Sequence, residues 1–222
     1  MIRLDNVSKY FATPSGRKYV LKNLDLELPD AVNIGVLGLN GSGKSTLLRL
    51  IGGIDFPSEG SIDIQGSISW PMGLADGVQG SLTGRQNAQF VCRIYGDSND
   101  VIQEKMHFIK DLAELHDYFD MPVKTYSSGM RSRLKFAVSM AFDFDIYLFD
   151  EIGAVGDARF RKKSKAVLKE RSGRANYIMV SHNTNELVKD CDVLAILNDG
   201  ALEVFDNIKA GIKHYRQNII PM

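Results

Sequence analysis

The octapeptide GLNGSGKS at residues 38–45 constrains this chain more than any other segment. It matches the pattern GxxxxGK[ST] in full, between an apolar run at Val32–Leu37 and a helix-forming stretch that ends at Gly52 and Gly53. Glycines let the backbone turn its N–H groups inward around phosphates, and the start of a helix adds the positive end of its dipole. This order of strand, loop and helix predicts a P-loop nucleotide site.

Two side chains of the loop have predicted roles in phosphate and metal binding. Lys44 is long enough to reach the β- and γ-phosphates, and the Ser45 hydroxyl is a ligand for Mg²⁺. A P-loop alone indicates only a nucleoside triphosphate, since kinases, GTPases, helicases and transport ATPases share it. The predicted nucleotide-binding residues here are Gly38, Leu39, Asn40, Gly41, Ser42, Gly43, Lys44, Ser45 and Thr46.

Composition narrows the class of protein further. The 222 residues include 44% hydrophobic and 24% charged side chains, which is ordinary for a packed soluble protein. Lys+Arg 27 balance Asp+Glu 27, and this balance disfavours a dedicated nucleic-acid binder. Cys92 and Cys191 lie far apart and outside any CxxC pattern, so we expect a reducing compartment and no disulfide framework. No apolar run approaches the roughly 18 residues of a membrane span.

The order of apolar segments predicts a parallel sheet interrupted by a helical block. Strands are expected in the first thirty residues, as a strand pair over residues 60–69, and as buried strands near the end of the chain. Helical stretches separate the buried strands, which is the βαβ pattern of a parallel sheet. The expected buried strands are Val32–Leu37, Ile146–Phe149, Tyr177–Val180 and Val193–Leu197.

The central block has helical periodicity. Apolar residues recur at helical spacing between charged ones, which predicts a helix with one face in the core; they are Ile102, Met106, Ile109, Leu112 and Leu115. A second helix is predicted over Arg131–Phe142. Five glycines among the nineteen residues from Gly66 to Gly84 predict a long loop, which favours a functional surface.

Residues 146–151 read IYLFDE, an apolar strand followed by two adjacent acidic residues. Asp150 is placed at the strand tip to hold Mg²⁺, and Glu151 is placed to polarise a water for attack on the γ-phosphate. Many strands end in a charged residue, so the acidic pair predicts a nucleotide site only in combination with the P-loop earlier in the chain.

Two further motifs have the residue types of a phosphate site. YSSGM at 126–130 opens a helix, where free N–H groups and the Ser127 hydroxyl form an anion site or, alternatively, an ordinary helix cap. VSHN at 180–183 places His182 after a strand, where it can contact the γ-phosphate or have a purely structural role.

In this order, the motifs resemble the nucleotide-binding subunit of ABC transporters over nearly the whole chain. The resemblance implies ATP and Mg²⁺ as cofactors. It implies that Gly38–Ser45 are the Walker A motif, Ile146–Asp150 Walker B, Glu151 the catalytic carboxylate, Ala154–Asp157 the D-loop with Asp157, and His182 the switch histidine. Tyr126–Met130 stand where the family has LSGGQ, and only Ser127 and Gly129 keep its residue types.

Two other family positions are assigned by the same resemblance. The family stacks an aromatic ring on adenine, and Phe11 in VSKYF is best placed, with Tyr10 and Tyr19 as alternatives. Packing in the core or on the surface is the other explanation for each ring. Gln79 is the nearest candidate for the Q-loop glutamine, a ligand of the metal.

The family fold implied is α/β: a P-loop ABC ATPase core with a mixed or parallel sheet, an N-terminal antiparallel β subdomain and an inserted helical subdomain. We expect a single nucleotide-binding domain over 1–222. Its core and β subdomain would occupy 1–84 and 143–222, and its helical subdomain about 85–142.

Longer strings resemble one branch of the family, the ATP-binding subunits of bacterial capsular polysaccharide exporters, the polysialic-acid type among them. These strings are SISWPMGLADGVQGSLTGRQN, TYSSGMRSRLKFAVSMAFDFD and AVGDARF. The resemblance implies an ATPase that is peripheral on the cytoplasmic face of the bacterial inner membrane. Its implied partners are an integral membrane permease and a second copy of itself, which completes each ATP site with Ser127. Contact with nucleic acid or with the glycan itself is not expected.

An alternative function is a soluble ABC-type ATPase that acts on nucleic acid or ribosomes. DNA-repair members carry a long coiled coil between Walker A and signature, and translation members carry two ATPase domains; neither feature is present here. The basic stretch Arg159–Arg174 contains eight Lys or Arg, and a solvated helix face is its expected role. For the permease, the expected contacts are Trp70, Met72, Leu74 and Val78, exposed in the Gly-rich loop, with the first helix after Thr83.

Overall fold

A computed structural model describes residues 1–29, 31–72, 78–150, 158–172 and 175–219 of the chain. The chain divides into two compact units. The sheet unit comprises Met1–Pro71, Phe144–Ile152 and Arg174–Met222, and the helical unit comprises Met72–Asp143 and Gly153–Gly173. The domain limits predicted from the sequence stay a prediction.

The described elements alternate as an α/β protein requires. The strands are β1 (Ile2–Thr13), β2 (Gly16–Leu28), β3 (Ile34–Leu37), β4 (Glu59–Ile64), β5 (Ile146–Asp150), β6 (Asn176–Val180), β7 (Val193–Asn198) and β8 (Ala201–Phe205). The helices are α1 (Lys44–Ile51), α2 (Gly84–Ile94), α3 (Asn99–Ala113), α4 (Ser128–Met140), α5 (Ala158–Ser172), α6 (Thr184–Asp190) and α7 (Ile208–Asn218). Two short 3-10 turns, His116–Asp120 and Val123–Thr125, precede α4.

The N-terminal sheet is antiparallel, as predicted, with the order β2-β1-β4. Its apolar residues do not alternate strictly, because Leu21 and Leu24 are both buried although they are three positions apart. Asn23 between them has a positive φ of 46°, and the register of β2 against β1 shifts there. The fully buried Ser8 hydroxyl accepts the Asn23 N–H at 2.9 Å and donates to the Asn23 side chain at 2.9 Å, so the irregularity leaves these polar groups satisfied.

The strand pair predicted for residues 60–69 is wrong in its second half. Only β4 forms, and the residues after it bond to the segment around β5 instead. Ser67 donates from its backbone N–H and its hydroxyl to the Asp145 carboxylate at 2.7 and 2.8 Å, and the Ser69 hydroxyl accepts the Leu148 N–H at 2.9 Å. Side-chain oxygens thus satisfy backbone groups that a second hairpin strand would have paired.

The second sheet is mixed and positions the P-loop. Its order is β5-β6-β3-β7-β8; neighbouring strands are parallel except β8, which is antiparallel to β7. All four residues of β3 are buried, as an apolar run at the centre of a parallel sheet requires. Val180 of β6 lies opposite Val36 of β3 on one side and Asp150 of β5 on the other. The carboxyl ends of these strands therefore meet at one edge, where α/β proteins bind their ligands.

The helical unit confirms the predicted apolar stripe. Ile102, Met106, Ile109 and Leu112 are each at most 5% exposed; Leu115 is buried too, but it lies beyond the helix, which ends at Ala113. The helix predicted over Arg131–Phe142 begins earlier, at Ser128, because the Ser127 side chain caps it, and it ends at Met140. Among the described residues no helix is both long and apolar enough to cross a membrane.

Candidate functional site

The P-loop requires glycine at defined positions for steric reasons. Gly41 and Gly43 have φ of 79° and 105°, which is the left-handed region that side chains with a Cβ rarely adopt. A Cβ at Gly38 would lie 2.5 Å from the Leu197 carbonyl oxygen, and one at Gly43 would lie 2.5 Å from Val20 Cγ1. Strands β2 and β7 therefore press against the loop, and its curvature is fixed before any ligand binds.

Lys44 lies inside this loop. It is only 7% exposed, and its Nζ donates to the carbonyl oxygens of Gly38 and Leu39 at 2.9 Å each. Carbonyl dipoles carry partial charges only, so a phosphate is a far stronger partner for this ammonium group. The side chain is held beside the site where phosphates are expected.

The N-terminus of α1 also suits a phosphate. Its cap residue, Gly43, supplies no side-chain hydrogen bond, and its first turn contains no acidic residue. The backbone N–H groups and the positive end of the helix dipole are therefore not neutralised by a capping side chain. The buried Ser42 Oγ has no hydrogen-bond partner within the described part of the chain, and it belongs to the same cradle. An anion bound in the loop would accept hydrogen bonds from these N–H groups and from the Ser42 hydroxyl.

The two predicted metal ligands are in direct contact. The Ser45 hydroxyl donates to Asp150 Oδ2 at 2.8 Å, although the residues are 105 positions apart in the chain. Each comes from the carboxyl edge of the parallel sheet, Ser45 on α1 after β3 and Asp150 at the end of β5. A hydroxyl and a carboxylate are hard oxygen donors, which fit Mg²⁺, an ion that keeps several waters and takes few protein ligands.

His182 lies at the same edge of the sheet unit. It follows β6 by two residues, and Val180 at the end of β6 is paired with Asp150. The turn is ordered by Ser181, whose hydroxyl donates to Glu186 at 3.0 Å and accepts the Asn183 N–H at 3.1 Å. The imidazole is exposed to solvent, so it is accessible to a ligand at this edge.

A cavity of about 510 Å³ opens beside the P-loop. It is lined by three segments, Lys18–Lys22 in part, Leu39–Ser42 and Asn198–Gly200. Its volume lies in the range of small-molecule sites. Tyr19 lines it and packs on Tyr10 with ring centroids 5.2 Å apart, whereas Phe11 is not among its described lining residues. Phe11 is 47% exposed and pairs with Lys18 across the hairpin. The adenine-stacking role of Phe11 stays a prediction, with Tyr19 adjacent to the cavity.

The signature-like segment belongs to the helical unit. Ser127 caps α4, with its Oγ accepting the Met130 N–H at 3.2 Å, and both Ser127 and Ser128 are exposed. Tyr126, where LSGGQ has leucine, is buried; its hydroxyl donates to the Tyr118 carbonyl at 2.5 Å, and burial raises its pKa. Tyr126, which replaces the leucine of LSGGQ, therefore packs inside the helical unit. It does not cover the exposed start of α4.

Gln79 is also in the helical unit, and its backbone is fixed by a residue that sequence reasoning missed. Asn87, 4% exposed, accepts the Gln79 N–H at 2.8 Å and donates to the Gln79 carbonyl at 3.1 Å. The Gln79 side chain is exposed, and its role as a metal ligand stays a prediction. The sequence signal that could have identified Asn87 is the capping box of Thr83 and Gln86. It marks the start of a helix, and Asn87 lies in the first turn of that helix.

Some predicted residues lie outside the described residues, and others are corrected. Glu151, Leu74 and the segment 154–157 with Asp157 are outside them. Met72 was expected to be exposed for docking, and this is wrong, because it is only 6% exposed. Trp70 is half-buried and packs edge-on against Phe144, with ring centroids 5.6 Å apart. The apolar residues described at the start of this loop therefore pack internally.

Comparison with known proteins identifies relatives of the whole chain. Residues 21–154 match the family model described as ABC transporter. The chain is 50% identical to the polysialic acid transport ATP-binding protein KpsT of Escherichia coli over 217 residues, covering 97% of this chain and 96% of that protein. It is 44% identical to the ATP-binding protein BexA of Haemophilus influenzae, covering 98% and 99% respectively.

A solved structure shows the same fold. The chain superposes with a TM-score of 0.80, at 23% identity, on the dimeric post-hydrolysis state of an ATP-binding cassette bound to ADP and Pi. The match covers 91% of this chain and 97% of that one. The arrangement of both sheets and of the helices described above is therefore the fold of an ATP-binding cassette.

Replacing Lys44 with alanine should abolish tight nucleotide binding. A hydrogen bond to a charged group contributes about 1.5–3 kcal/mol, so losing the ammonium should weaken ATP binding by about 100-fold. Isothermal titration with ATP measures this affinity directly. Lys213→Ala, which removes an exposed lysine from α7, is the control and should bind ATP as the wild type does. Equal affinity in the Lys44→Ala and Lys213→Ala proteins would contradict the role assigned to Lys44.

Proposed function

The chain belongs to the ABC transporter family, whose ATP-binding subunits hydrolyse ATP, and we propose that it drives export of a capsular polysaccharide across a bacterial inner membrane. The observation that carries the proposal is the formed phosphate site, with Lys44 inside the loop and Ser45 bonded to Asp150 at 2.8 Å. The cargo is supported by relatives named for polysialic acid transport, and the direction by a relative named for capsule polysaccharide export; each matches over nearly its full length. An ATPase acting on nucleic acid or ribosomes is not favoured.

In the proposed reaction, Lys44 leaves the two loop carbonyls and contacts the β- and γ-phosphates. Ser45 and Asp150 would hold Mg²⁺, which supplies charge neutralisation across the phosphates when bound. The N–H groups of the loop and of the start of α1 donate to the remaining phosphate oxygens without side-chain movement, because the loop is already formed. Glu151 orients the attacking water, and His182 contacts the γ-phosphate from the adjacent strand end.

We assign completion of each ATP site to a second copy of the chain. Ser127 and the N–H groups at the start of α4 are exposed and suited to an anion, yet they belong to the helical unit rather than to the sheet unit that holds Lys44. Gly129 gives independent support. Gly129 is the second residue of α4, and a Cβ here would meet only Ser127 Oγ, at 3.9 Å. Packing within the described chain does not require this glycine, whereas close approach of a second copy would account for it.

We place contact with the membrane permease on the outer face of α2, the first helix after Thr83. Phe90 and Ile94 lie one turn apart and are 56% and 65% exposed, and Tyr95 beside them is 48% exposed. Clustered large apolar side chains on a surface indicate a partner that covers them. This surface replaces Met72 of the Gly-rich loop as the expected contact. It would hold the chain peripherally on the inner membrane through a protein partner.

Glu151→Gln should separate nucleotide binding from turnover. An amide cannot accept a proton from water, so the hydrolysis rate should fall by about two to four orders of magnitude, the usual contribution of a general base. ATP affinity should stay within about twofold of the wild type. The measurements are phosphate release by the complex with its membrane subunit and equilibrium ATP binding. Hydrolysis at the wild-type rate would show that another group activates the water.

Charge introduced on α2 should release the protein from its membrane partner. Ile94→Asp and Phe90→Asp place a carboxylate on an exposed apolar surface, so they should leave the thermal midpoint of the protein nearly unchanged. Sedimentation with membranes that contain the permease should fall at least tenfold.

The matched control is Phe56→Asp, which alters a side chain that is 77% exposed on the sheet unit. It should leave membrane association intact. Normal sedimentation of the α2 variants, or equal release of the Phe56 variant, would rule out a specific contact at α2.

A further inference from the structure

We propose that Glu114 is a positioning residue for ATP hydrolysis, because its carboxylate joins the signature helix α4 to the helix α5 that follows the segment 151–157. The inference rests on the proposed function, since it takes Ser127 and Glu151 as parts of the reaction. It adds a residue that no motif identified. The Glu114 bridge is defined here as Glu114, Arg133 of α4 and Lys163 of α5.

The bridge connects three helices of the helical unit. Glu114 follows α3 directly, and one carboxylate oxygen lies 3.2 Å from Lys163 Nζ while the other lies 3.9 Å from Arg133 Nη1. Lys163 also donates to the carbonyl of Asp111, at the end of α3, at 2.7 Å. Glu114 and Arg133 are only 23% and 20% exposed, so water and salt screen their interaction less than that of a surface pair. One carboxylate thus fixes α4 and α5 relative to the end of α3.

An apolar contact also joins α4 to the start of α5. Phe160, in the first turn of α5, is fully buried and meets Phe136 of α4 edge-on, with ring centroids 5.8 Å apart. The Arg133 guanidinium lies 5.8 Å from the centre of the Phe160 ring. Arg133 therefore contacts both the carboxylate and the aromatic ring, which ties the start of α5 to the N-terminal half of α4.

The backbone at Glu114 has a conformation that glycine adopts more readily than glutamate. The residue has φ 52° and ψ 43°, the left-handed conformation that ends α3. Glycine adopts this conformation without steric cost and is the usual residue where a helix ends in this way. A glutamate here is less favourable for the backbone than glycine, and its carboxylate is what glycine would not supply.

Chain connectivity makes this junction relevant to catalysis. Only residues 151–157 separate Asp150, at the end of β5, from the first residue of α5. That segment contains Glu151 and Asp157, while the start of α4 carries Ser127 and Gly129. In the proposed dimer, Glu151 serves the ATP of its own copy and Ser127 serves the ATP of the partner. The Glu114 bridge therefore joins the helix that Ser127 caps to the helix that follows Glu151 and Asp157 in the chain.

The test is Glu114→Gly in the exporter complex purified with its own membrane subunit. The substitution relieves the backbone but also removes the ion pairs, so the thermal midpoint should stay nearly equal, whereas kcat for ATP should fall about five- to twentyfold. ATP affinity should stay within twofold, since Lys44 belongs to the other unit. A purely structural role predicts the opposite pattern, in which stability falls and kcat of the folded fraction is unchanged.

Two additional variants sharpen the test. Lys163→Met should lower kcat to a similar extent. The double variant with Glu114→Gly and Lys163→Met should be no slower than the slower single variant, because both substitutions break the same bridge. Asp97→Asn breaks the ion pair with Lys105, 2.7 Å long and in the same unit, and should lower the thermal midpoint without changing kcat. Multiplicative losses in the double variant, or wild-type kcat in Glu114→Gly, would overturn the proposal.

Ser127→Arg, measured in the same assay, separates this proposal from the function on which it rests. If Ser127→Arg abolishes turnover while Glu114→Gly retains it, only the bridge is refuted. If Ser127→Arg hydrolyses ATP normally, the composite site itself fails, and the bridge falls with it.

Discussion

The hydrogen bond from Ser45 to Asp150 is the contact on which the nucleotide site depends. It joins residues 105 positions apart, and it forms because β3 and β5 run parallel on either side of β6 and end at one edge. The P-loop follows the fully buried strand β3. Val180 of β6 pairs with Val36 of β3 and with Asp150 of β5, so the ends of these strands are aligned. The packing of an apolar sheet thus places two hard oxygen donors beside the loop whose N–H groups are predicted to bind phosphate. The chemistry of the site follows from that placement.

The helical unit supplies the other half of the proposed reaction. The start of α4 is exposed, and a Cβ added at Gly129 would meet only Ser127 Oγ, at 3.9 Å. The residues that surround α4 within its own unit are, in contrast, tightly fixed: Tyr126 bonds to the Tyr118 carbonyl, and Phe160 of α5 packs on Phe136. An exposed binding element on a rigid support is the arrangement expected where two molecules close on a shared ligand.

Local features of the sequence predicted where several candidate site residues lie in the fold, and features that depend on tertiary contacts were missed. The P-loop, Asp150 and the position of His182 were predictable because each lies directly at the end of an apolar strand. The buried stripe on α3 was visible from periodicity alone. The expected exposure of Met72 was wrong, since a glycine-rich segment does not reveal which of its apolar residues pack internally. Glu114 was not identifiable, because its left-handed backbone and its contacts with α4 and α5 arise only in the folded chain.

The most direct test of the account counts the ATP molecules sealed in mixed dimers of the Glu151→Gln protein. If each site combines Lys44 of one copy with Ser127 of the other, Lys44→Ala on one copy and Ser127→Arg on its partner leave one intact site. Placing both substitutions on the same copy, opposite an otherwise unaltered partner, leaves none. The account therefore predicts one retained ATP per dimer in the first arrangement and none in the second. The reverse pattern would show that each chain seals its own nucleotide, and it would contradict the shared site.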